Sequence, residues 1–215
     1  MDIYKFKVFS HFKNISHAIS TKKFGTIKND DNLINRENLT KFLKHVKLPD
    51  SAICMNQIHS GNVEVVNNFD KLLIENTDGL VTAKKNISLC VVTADCLPIL
   101  FFDPINQVIG VAHAGRKGLL KGIIKNTIEK FKKEFKSDSK NIFVGIGPGI
   151  EKKCYEVNGR LLDLRKIAQQ MLLDEGIIQE NIEDIDLCTK CNSELLYSYR
   201  RGDKYDRFAT VISMV

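Results

Sequence analysis

The sequence predicts an α/β or mixed α+β fold, because short strand-like runs alternate with amphipathic helical stretches along the chain. The apolar runs between residues 79 and 112 are dense in β-branched and aromatic residues, which predicts a buried sheet. No linker rich in Pro, Gly or Ser and no internal repeat divides the 215 residues. The length suits one large domain or two small ones.

The first half is predicted to contain one helix among several strands. Residues 34–46 carry apolar side chains at helical spacing, with Asn32 as the expected N-cap and Pro49 beyond the end. A polar loop precedes this helix at residues 22–32. The predicted strands cover residues 3–9, 53–57, 63–66, 79–82, 87–93, 99–102 and 108–112.

The second half is predicted to be richer in helix. One helix starts near Gly118, and its apolar stripe continues to Phe135. A second helix is predicted over residues 156–175 and a last one over 189–199. Strands are predicted over residues 142–146 and 208–214.

Composition narrows the range of functions. The net charge of +6 is spread along the chain without a tight basic block, and Trp is absent, so we expect no nucleic-acid partner. No secretory pattern opens the sequence, and no apolar run approaches the roughly 20 residues of a membrane span. We therefore expect a soluble, cytoplasmic protein with reduced thiols that does not bind membranes, and a monomer by default.

Three residues stand out as a candidate ligand set: His59, Cys96 and His113, called the ligand trio below. Each follows or closes a strand-like run, and strand ends are where ligands gather in α/β sheets. Their separations are too long for a zinc finger. Two imidazoles and one thiolate suit zinc with one position left open, as a catalytic metal requires.

Other motifs are weaker. His11, His17 and His45 are interpreted as ordinary core or surface residues, and the Cys188–Cys191 CxxC pair as structural or incidental, with Cys154 standing alone.

The glycine-rich residues 145–149 fit neither the dinucleotide fingerprint nor a P-loop and predict a tight turn near the site. Arg200-Arg201 is interpreted as a solvated pair. Arg116-Lys117 is the better candidate for anion binding, because it adjoins His113 and opens a helix.

Several ordered motifs together resemble the laccase-domain (YfiH-like) family, first labelled multicopper polyphenol oxidases. Its members are regarded as zinc-dependent purine nucleoside phosphorylases with adenosine deaminase activity. The resemblance covers nearly the whole chain and implies one domain over residues 1–215. The matching stretches are Asn35-Arg36, QIH (57–59), TDGLVT (77–82), TADCLP (93–98), VAHAG (111–115), GPGI (147–150), CYEV (154–157) and SYRR (198–201).

The resemblance implies a layered α/β sandwich with mixed β-sheets flanked by helices, and zinc on His59, Cys96 and His113. Expected reactions are phosphorolysis of adenosine, inosine, guanosine and methylthioadenosine, and hydrolytic deamination of adenosine. Zinc lowers the pKa of bound water to about 7, which would provide hydroxide to attack C6 of adenine.

Further residues are expected at this site. Asp95, beside Cys96, is the candidate for proton transfer, and Asp78 is a weaker one. Lys117 and Arg116 are expected to neutralise phosphate, with Lys117 as a catalytic residue. Gln57 and Arg36, which lie in matching motifs, are expected to bind substrate.

Three departures from the family pattern put anion affinity and substrate preference in question more than the metal site. Gly-Trp-Arg-Gly is replaced by Gly115-Arg116-Lys117-Gly118, which exchanges a planar guanidinium for a point charge at Lys117. The early Arg-x-Gly-Gly becomes residues 23–26, Lys-Phe-Gly-Thr, and the late Gly-Arg becomes Asp206-Arg207.

Three alternatives remain open at this point. Copper-dependent polyphenol oxidation needs several coppers, which one His₂Cys set and 5 His in the chain hardly supply, although copper would bind such a site adventitiously. A Cys–His hydrolase or deamidase would use Cys96 as nucleophile and His113 as base. A non-catalytic metal-binding protein would fill all four positions of the metal.

Overall fold

Two six-stranded sheets dominate the computed structural model, which describes residues 3–28 and 33–215. Its helices are α1 (Arg36–His45), α2 (Arg116–Leu120), α3 (Ile123–Phe135) and α4 (Leu164–Asp174). Its strands are β1 (Ile3–Tyr4), β2 (Ile15–Ser20), β3 (Ala52–Met55), β4 (Val63–Val65), β5 (Leu73–Ile74), β6 (Gly79–Thr82), β7 (Ser88–Thr93), β8 (Leu97–Asp103), β9 (Val108–Ala114), β10 (Phe143–Ile146), β11 (Glu156–Val157), β12 (Arg160–Leu161), β13 (Ile182–Asp184) and β14 (Phe208–Met214).

Both large sheets are mixed. The first has the order β1-β2-β14-β7-β3-β5, in which β3 runs parallel to both β7 and β5. The second has the order β13-β10-β8-β9-β6-β4, in which the outer pairs β10–β13 and β4–β6 are parallel. The remaining neighbours in both sheets are antiparallel. The α/β class predicted from the sequence pattern and the sandwich with mixed sheets implied by the family resemblance are therefore confirmed.

The sheets pack face to face between helices, which makes four layers. Along β7, Leu89 and Val91 point into the core between the sheets, whereas Cys90 and Val92 point outward under α1. The outer face of the second sheet is covered by α3 and α4. A strand buried on both faces needs a continuous apolar sequence rather than an alternating one, which explains the dense apolar runs. Among the helices described, none has the length and apolar character needed to cross a membrane.

Helix α1 is set by its cap and by one apolar face. Asn35 is its N-cap, and the side chain accepts the amide N–H of Asn38. Leu39, Phe42 and Leu43 are buried against the first sheet. The predicted cap Asn32 lies outside the described residues. The helix predicted from Gly118 is two helices, because Gly122 adopts φ +77 between α2 and α3.

Two helix predictions are wrong. Residues 156–161 form the β11–β12 hairpin rather than the start of a helix, because Asn158 and Gly159 take φ values of 51 and 73, which suit a tight two-residue turn. No α-helix forms over 189–199. There the guanidinium of Arg201 binds the carbonyls of Thr189, Lys190 and Leu196, which a helix would use internally.

Strand boundaries differ most where polar residues interrupt the apolar pattern. The strand predicted over 3–9 is only β1, followed by a 3₁₀ turn at Lys7–Phe9. Strands β2, β5 and β13 were not predicted. In β2, His17 is buried and its Nε2 accepts the amide N–H of Phe6 at 2.7 Å, so a polar side chain fills a core position.

Acidification is predicted to destabilise the fold through His17. Burial, assisted by the charge of Lys5, lowers the pKa of this imidazole from 6.5 to about 4. As pH falls, the unfolded chain therefore binds a proton at His17 before the folded chain does. This contribution to stability is present above pH 6.5 and is lost as the pH falls toward 4. Urea unfolding of the wild type and of His17→Gln at about pH 7 and about pH 5 should show an extra loss of about 2 kcal/mol in the wild type. Equal losses in the two proteins would contradict the assignment.

Candidate functional site

Strand pairing in the second sheet brings Asp78 to His113. Strand β6 runs antiparallel to β9 with Gly79 opposite Ala112, so the residue before β6 lies beside the residue after Ala112. The amide N–H of His113 donates to the carbonyl of Asp78 at 2.8 Å, and His113 Nδ1 donates to the Asp78 carboxylate at 2.8 Å. Both side chains are buried. The sheet register thus fixes the imidazole through both the backbone and the side chain.

Strand β8 places Cys96 on the other side of β9. Leu97 is paired with Ala114, so Cys96 lies beside Gly115. A Cβ at Gly115 would stand 2.5 Å from the Cys96 sulfur and 3.2 Å from the His59 ring. Only glycine allows the backbone this close to the sulfur. Asp95, with φ +93, makes the turn that carries the chain from β7 in the first sheet to β8 in the second.

His59 comes from the loop after β3, and Asp78 holds that loop. The amides of Ile58, His59 and Ser60 donate to the Asp78 carboxylate at 3.2, 3.0 and 2.6 Å, and the Ser60 hydroxyl adds a bond of 2.7 Å. His59 has φ +58, an uncommon conformation for a residue other than glycine. The three successive amides explain why this conformation is maintained.

The ligand trio is thereby assembled into one cluster. One ligand atom each from His59, Cys96 and His113 lies within 4.8 Å of the others, and His59 Nε2 is 3.8 Å from the Cys96 sulfur. Because Nδ1 of His113 is bound by Asp78, its Nε2 is the nitrogen available to a metal. A carboxylate behind a ligating imidazole fixes the tautomer and raises the basicity of the ligand.

The charges in this cluster favour a thiolate. Burial opposes ionisation of Cys96, but the positive charge of His113 outweighs it, and the pKa of the thiol falls to about 6. Burial likewise opposes protonation of His113, but the Cys96 thiolate and Asp78 raise its pKa to about 9. Hydrogen bonds from His113 and Ser60 overcome burial and hold the pKa of Asp78 well below its usual range. Thiolate is the form of cysteine that binds a metal.

A cavity of about 470 Å³ opens over the ligand trio, a volume within the range of small-molecule sites. Its wall combines the ligands with aromatic and cationic side chains. The lining residues are Lys28, Gln57, His59, Val92, Thr93, Ala94, Asp95, Cys96, His113, Tyr155, Tyr199, Arg200 and Arg207.

Three cations on this wall form a group suited to an anion. Lys28 is buried, and its burial together with the charge of Arg207 lowers its pKa. Arg207 is anchored by the carbonyls of Asp206 at 2.7 Å and Lys204 at 3.2 Å. Arg200 lies over the Tyr155 ring, 5.1 Å from its centroid. Cations that repel one another in a partly dry pocket are stabilised by an anion between them.

Sequence reasoning missed these cations as pocket residues. Arg200 was assigned to a solvated face, yet it lines the cavity. Lys28 belongs to a stretch predicted only as a polar loop, and Arg207 drew notice only as a departure from a Gly-Arg motif. The available signal was that Arg200 lies within the SYRR motif. Nothing in the sequence around Lys28 indicates that it lies near Arg207, which is distant along the chain.

Gln57 and Arg36, the expected substrate contacts, lie in different places. Gln57 lines the cavity, but its amide bonds to the backbone of Val92 in both directions, at 2.8 and 3.0 Å. Arg36 is absent from the lining, and its guanidinium donates to the carbonyls of Ala52 and Leu72. In the described structure both side chains therefore tie strands or loops together.

The expected catalytic residues are also separated. Asp95 lines the cavity, and its carboxylate accepts the Thr189 hydroxyl at 2.6 Å and the Arg200 amide at 2.7 Å. Arg116 and Lys117 open α2 directly after Gly115, outside the residues that line the cavity. The glycine-rich residues 145–149 lie beside the site, since the amide of Ile150 donates to the carbonyl of Asp95 at 2.9 Å. The predicted tight turn is wrong, because residues 145–146 end strand β10 and Gly149 forms a bridge with Cys188.

Comparisons with known proteins agree on one family. A family model described as multi-copper polyphenol oxidoreductase laccase matches residues 13–161 and 158–215. Purine nucleoside phosphorylase Cj1217c of Campylobacter jejuni is 34% identical over 83% of this chain and 84% of its own. Purine nucleoside phosphorylase YlmD of Bacillus subtilis is 28% identical over 97% and 89%, respectively. The crystal structure of YlmD from Geobacillus stearothermophilus shares the fold, with a TM-score of 0.86 and 23% identity over 94% of this chain and 93% of that one.

Asp78→Asn is predicted to weaken metal binding. The amide keeps the size of the carboxylate but loses the charge that holds His113 and the loop of His59, so zinc affinity should fall about 10- to 100-fold. Competition with a coloured zinc chelator measures this. Asp103→Asn is the matched control, because Asp103 is also fully buried and accepts the amides of Ile105 and Asn106 at the far end of β8. Equal zinc affinity in both variants would contradict the role of Asp78.

Proposed function

The chain belongs to the multi-copper polyphenol oxidoreductase laccase family, and from this premise we propose that it is a zinc-dependent purine nucleoside phosphorylase that also deaminates adenosine. The observation that carries the proposal is a His₂Cys cluster beneath a cavity whose lining includes Lys28, Arg200 and Arg207, called the cationic wall below. The names of the relatives, which are purine nucleoside phosphorylases, support an enzyme that acts on purine nucleosides. The proposed substrates are adenosine, inosine, guanosine and methylthioadenosine, together with phosphate, in the cytoplasm.

The donor set fits zinc. Two imidazole nitrogens and a thiolate would leave one of the four usual zinc positions for water or substrate, and all three residues line the cavity. A zinc ion held there would supply a Lewis acid facing the substrate. Copper prefers such nitrogen and sulfur donors even more strongly, so the metal must be controlled in any assay.

Phosphorolysis requires groups that bind phosphate, and the cationic wall can supply them. An oxygen of phosphate bonds to the anomeric carbon of the ribose, while the bond to the purine nitrogen breaks and the base leaves with the electron pair. Lys28, Arg200 and Arg207 are proposed to hold the phosphate and to offset its charge. Tyr155 and Tyr199 offer ring surface to the nucleoside in the same cavity.

Deamination needs a group that carries a proton from the attacking water to the leaving ammonia. Asp95 is proposed for this role, because it lines the cavity next to Cys96. The Thr189 hydroxyl and the Arg200 amide orient its carboxylate. Arg116 and Lys117 follow Gly115 and remain proposed phosphate contacts, as Gln57 and Arg36 remain proposed substrate contacts.

A second candidate function rests on the geometry of Cys96, His113 and Asp78. The carboxylate binds Nδ1 of the imidazole, whose other nitrogen is available to the thiol, and this is the order of groups in a Cys–His hydrolase. The activity of such an enzyme would be abolished by thiol alkylation and unaffected by a metal chelator. The zinc enzyme would be inactivated by both treatments.

Product analysis with adenosine tests the proposal. The zinc-loaded protein should release adenine only when phosphate is present and inosine whether or not it is present. Cys96→Ala should lose both products, because one zinc ligand is missing. Cys90→Ala is the control, since Cys90 is a thiol buried under α1. Absence of product, or equal product from Cys96→Ala, would overturn the proposal, as would phenol oxidation that depends on copper.

Arg207→Gln should separate the two reactions. Loss of one contact between a cation and phosphate is expected to raise KM for phosphate about 10- to 100-fold, a larger effect than on the rate of adenosine deamination, which uses no phosphate. Steady-state kinetics with varied phosphate measures this split. Arg160→Gln is the control, because Arg160 is exposed on the β11–β12 hairpin. If both variants gave the same KM for phosphate, Arg207 would not be part of the phosphate site.

A further inference from the structure

A second sulfur cluster lies apart from the ligand trio. One sulfur each from Cys154, Cys188 and Cys191 lies within 4.8 Å of the others, and the sulfurs of Cys154 and Cys191 are 3.5 Å apart. The interpretation of Cys154 as standing alone is therefore wrong. A bridge between Gly149 and Cys188 aligns the two loops, so the 3₁₀ turn at Lys152–Cys154 meets the CxxC pair.

The backbone around Cys188 favours a thiolate. Burial raises the pKa of this thiol, but the amides of Glu151, Lys190 and Cys191 hydrogen-bond to the sulfur, and the net effect lowers the pKa. The Glu151 contact is 3.5 Å long. Amides directed at a cysteine sulfur stabilise its negative charge, which is the form a metal needs.

The Cys191 thiol ionises less easily than a free cysteine, because two other sulfurs lie beside it. Contacts with Cys154 and Cys188 raise the pKa of Cys191 to about 11. The Lys153 ammonium pairs with Glu151 at 2.8 Å, which raises the pKa of Lys153. Attraction to Cys191 and Cys154 raises this pKa further, so a positive charge already lies near the sulfurs. A divalent cation bound to all three sulfurs would remove their mutual repulsion.

We propose that Cys154, Cys188 and Cys191 form a second zinc site, made of three thiolates with one position open to solvent at the exposed Cys191. The geometry favours zinc over a disulfide. Tetrahedral zinc with sulfur at about 2.3 Å sets neighbouring sulfurs about 3.8 Å apart, close to the observed 3.5 Å. A disulfide joins two sulfurs at about 2 Å and leaves the third without a role.

The position of the cluster suggests what such a site does. Cys154 precedes Tyr155, which lines the cavity, and Cys188 precedes Thr189, which binds Asp95. A shared metal would therefore hold together the two loops that form this wall. The existence of this site does not depend on the activity proposed above.

The test uses the full chain with the ligand trio disabled. The double variant His59→Ala, Cys96→Ala, purified with a thiol reductant and freed of loose metal, should retain about one zinc per chain, against about two in the wild type. Mass spectrometry of the metal content measures this. Cobalt titration of the same variant should give the near-ultraviolet absorption of thiolate-bound Co²⁺.

Adding Cys191→Ser to the double variant should weaken zinc binding by at least about 10-fold and reduce the cobalt absorption. Ser193→Ala, an exposed change in the same loop, should leave both unchanged. If the serine variant fails to fold, zinc protection of Cys154 and Cys191 from alkylation in the double variant gives the same information. No zinc in the double variant, no protection, or a Cys154–Cys191 disulfide that persists in saturating zinc would overturn the proposal.

Discussion

Asp78 is fully buried, and its two carboxylate oxygens accept hydrogen bonds from three successive amides, one hydroxyl and one imidazole. A buried carboxylate without such donors would be strongly unfavourable, so the loop of His59 and the side chain of His113 must both stay where they are. The carboxylate is thus the common support of His59 and His113, two candidate ligands that arise from different parts of the chain. Cys96 joins them through the register of β8 with β9 rather than through Asp78.

The site has two parts of different mechanical character. His113 lies within β9 and Cys96 adjoins β8, both central strands of the second sheet, and their backbones are fixed by pairing on each side. The opposite wall comes from loops: Lys28, Tyr155 and Arg200 lie outside the large sheets, and so does Arg207, directly before β14. Paired strands hold the side chains of His113 and Cys96 at fixed distances, whereas loops in the opposite wall can vary in sequence without moving these two side chains.

The sequence was informative where local signals agree with the tertiary contacts. Strands β6 and β14 matched their predicted ranges because runs such as Phe208–Met214 are buried on both faces. That His59, Cys96 and His113 lie together was predictable because each lies in a distinctive motif. The turn at Asn158-Gly159 was misjudged because apolar spacing in the following helix extended backward over it. The loop at 189–199 depends on Arg201, whose carbonyl contacts leave no periodic trace in the sequence.

The cationic wall and the second sulfur cluster escaped sequence reasoning for a shared physical reason. Both are formed by residues that are distant along the chain and that belong to loops, where no period of 2 or 3.6 applies. Lys28 and Arg207 become neighbours because the amide of Ile27 donates to the carbonyl of Arg207. Cys154 reaches the CxxC pair because the amide of Thr189 donates to Gly149. A few backbone bonds between loops therefore decide which charges and sulfurs meet, and hence which anions the pocket can accept.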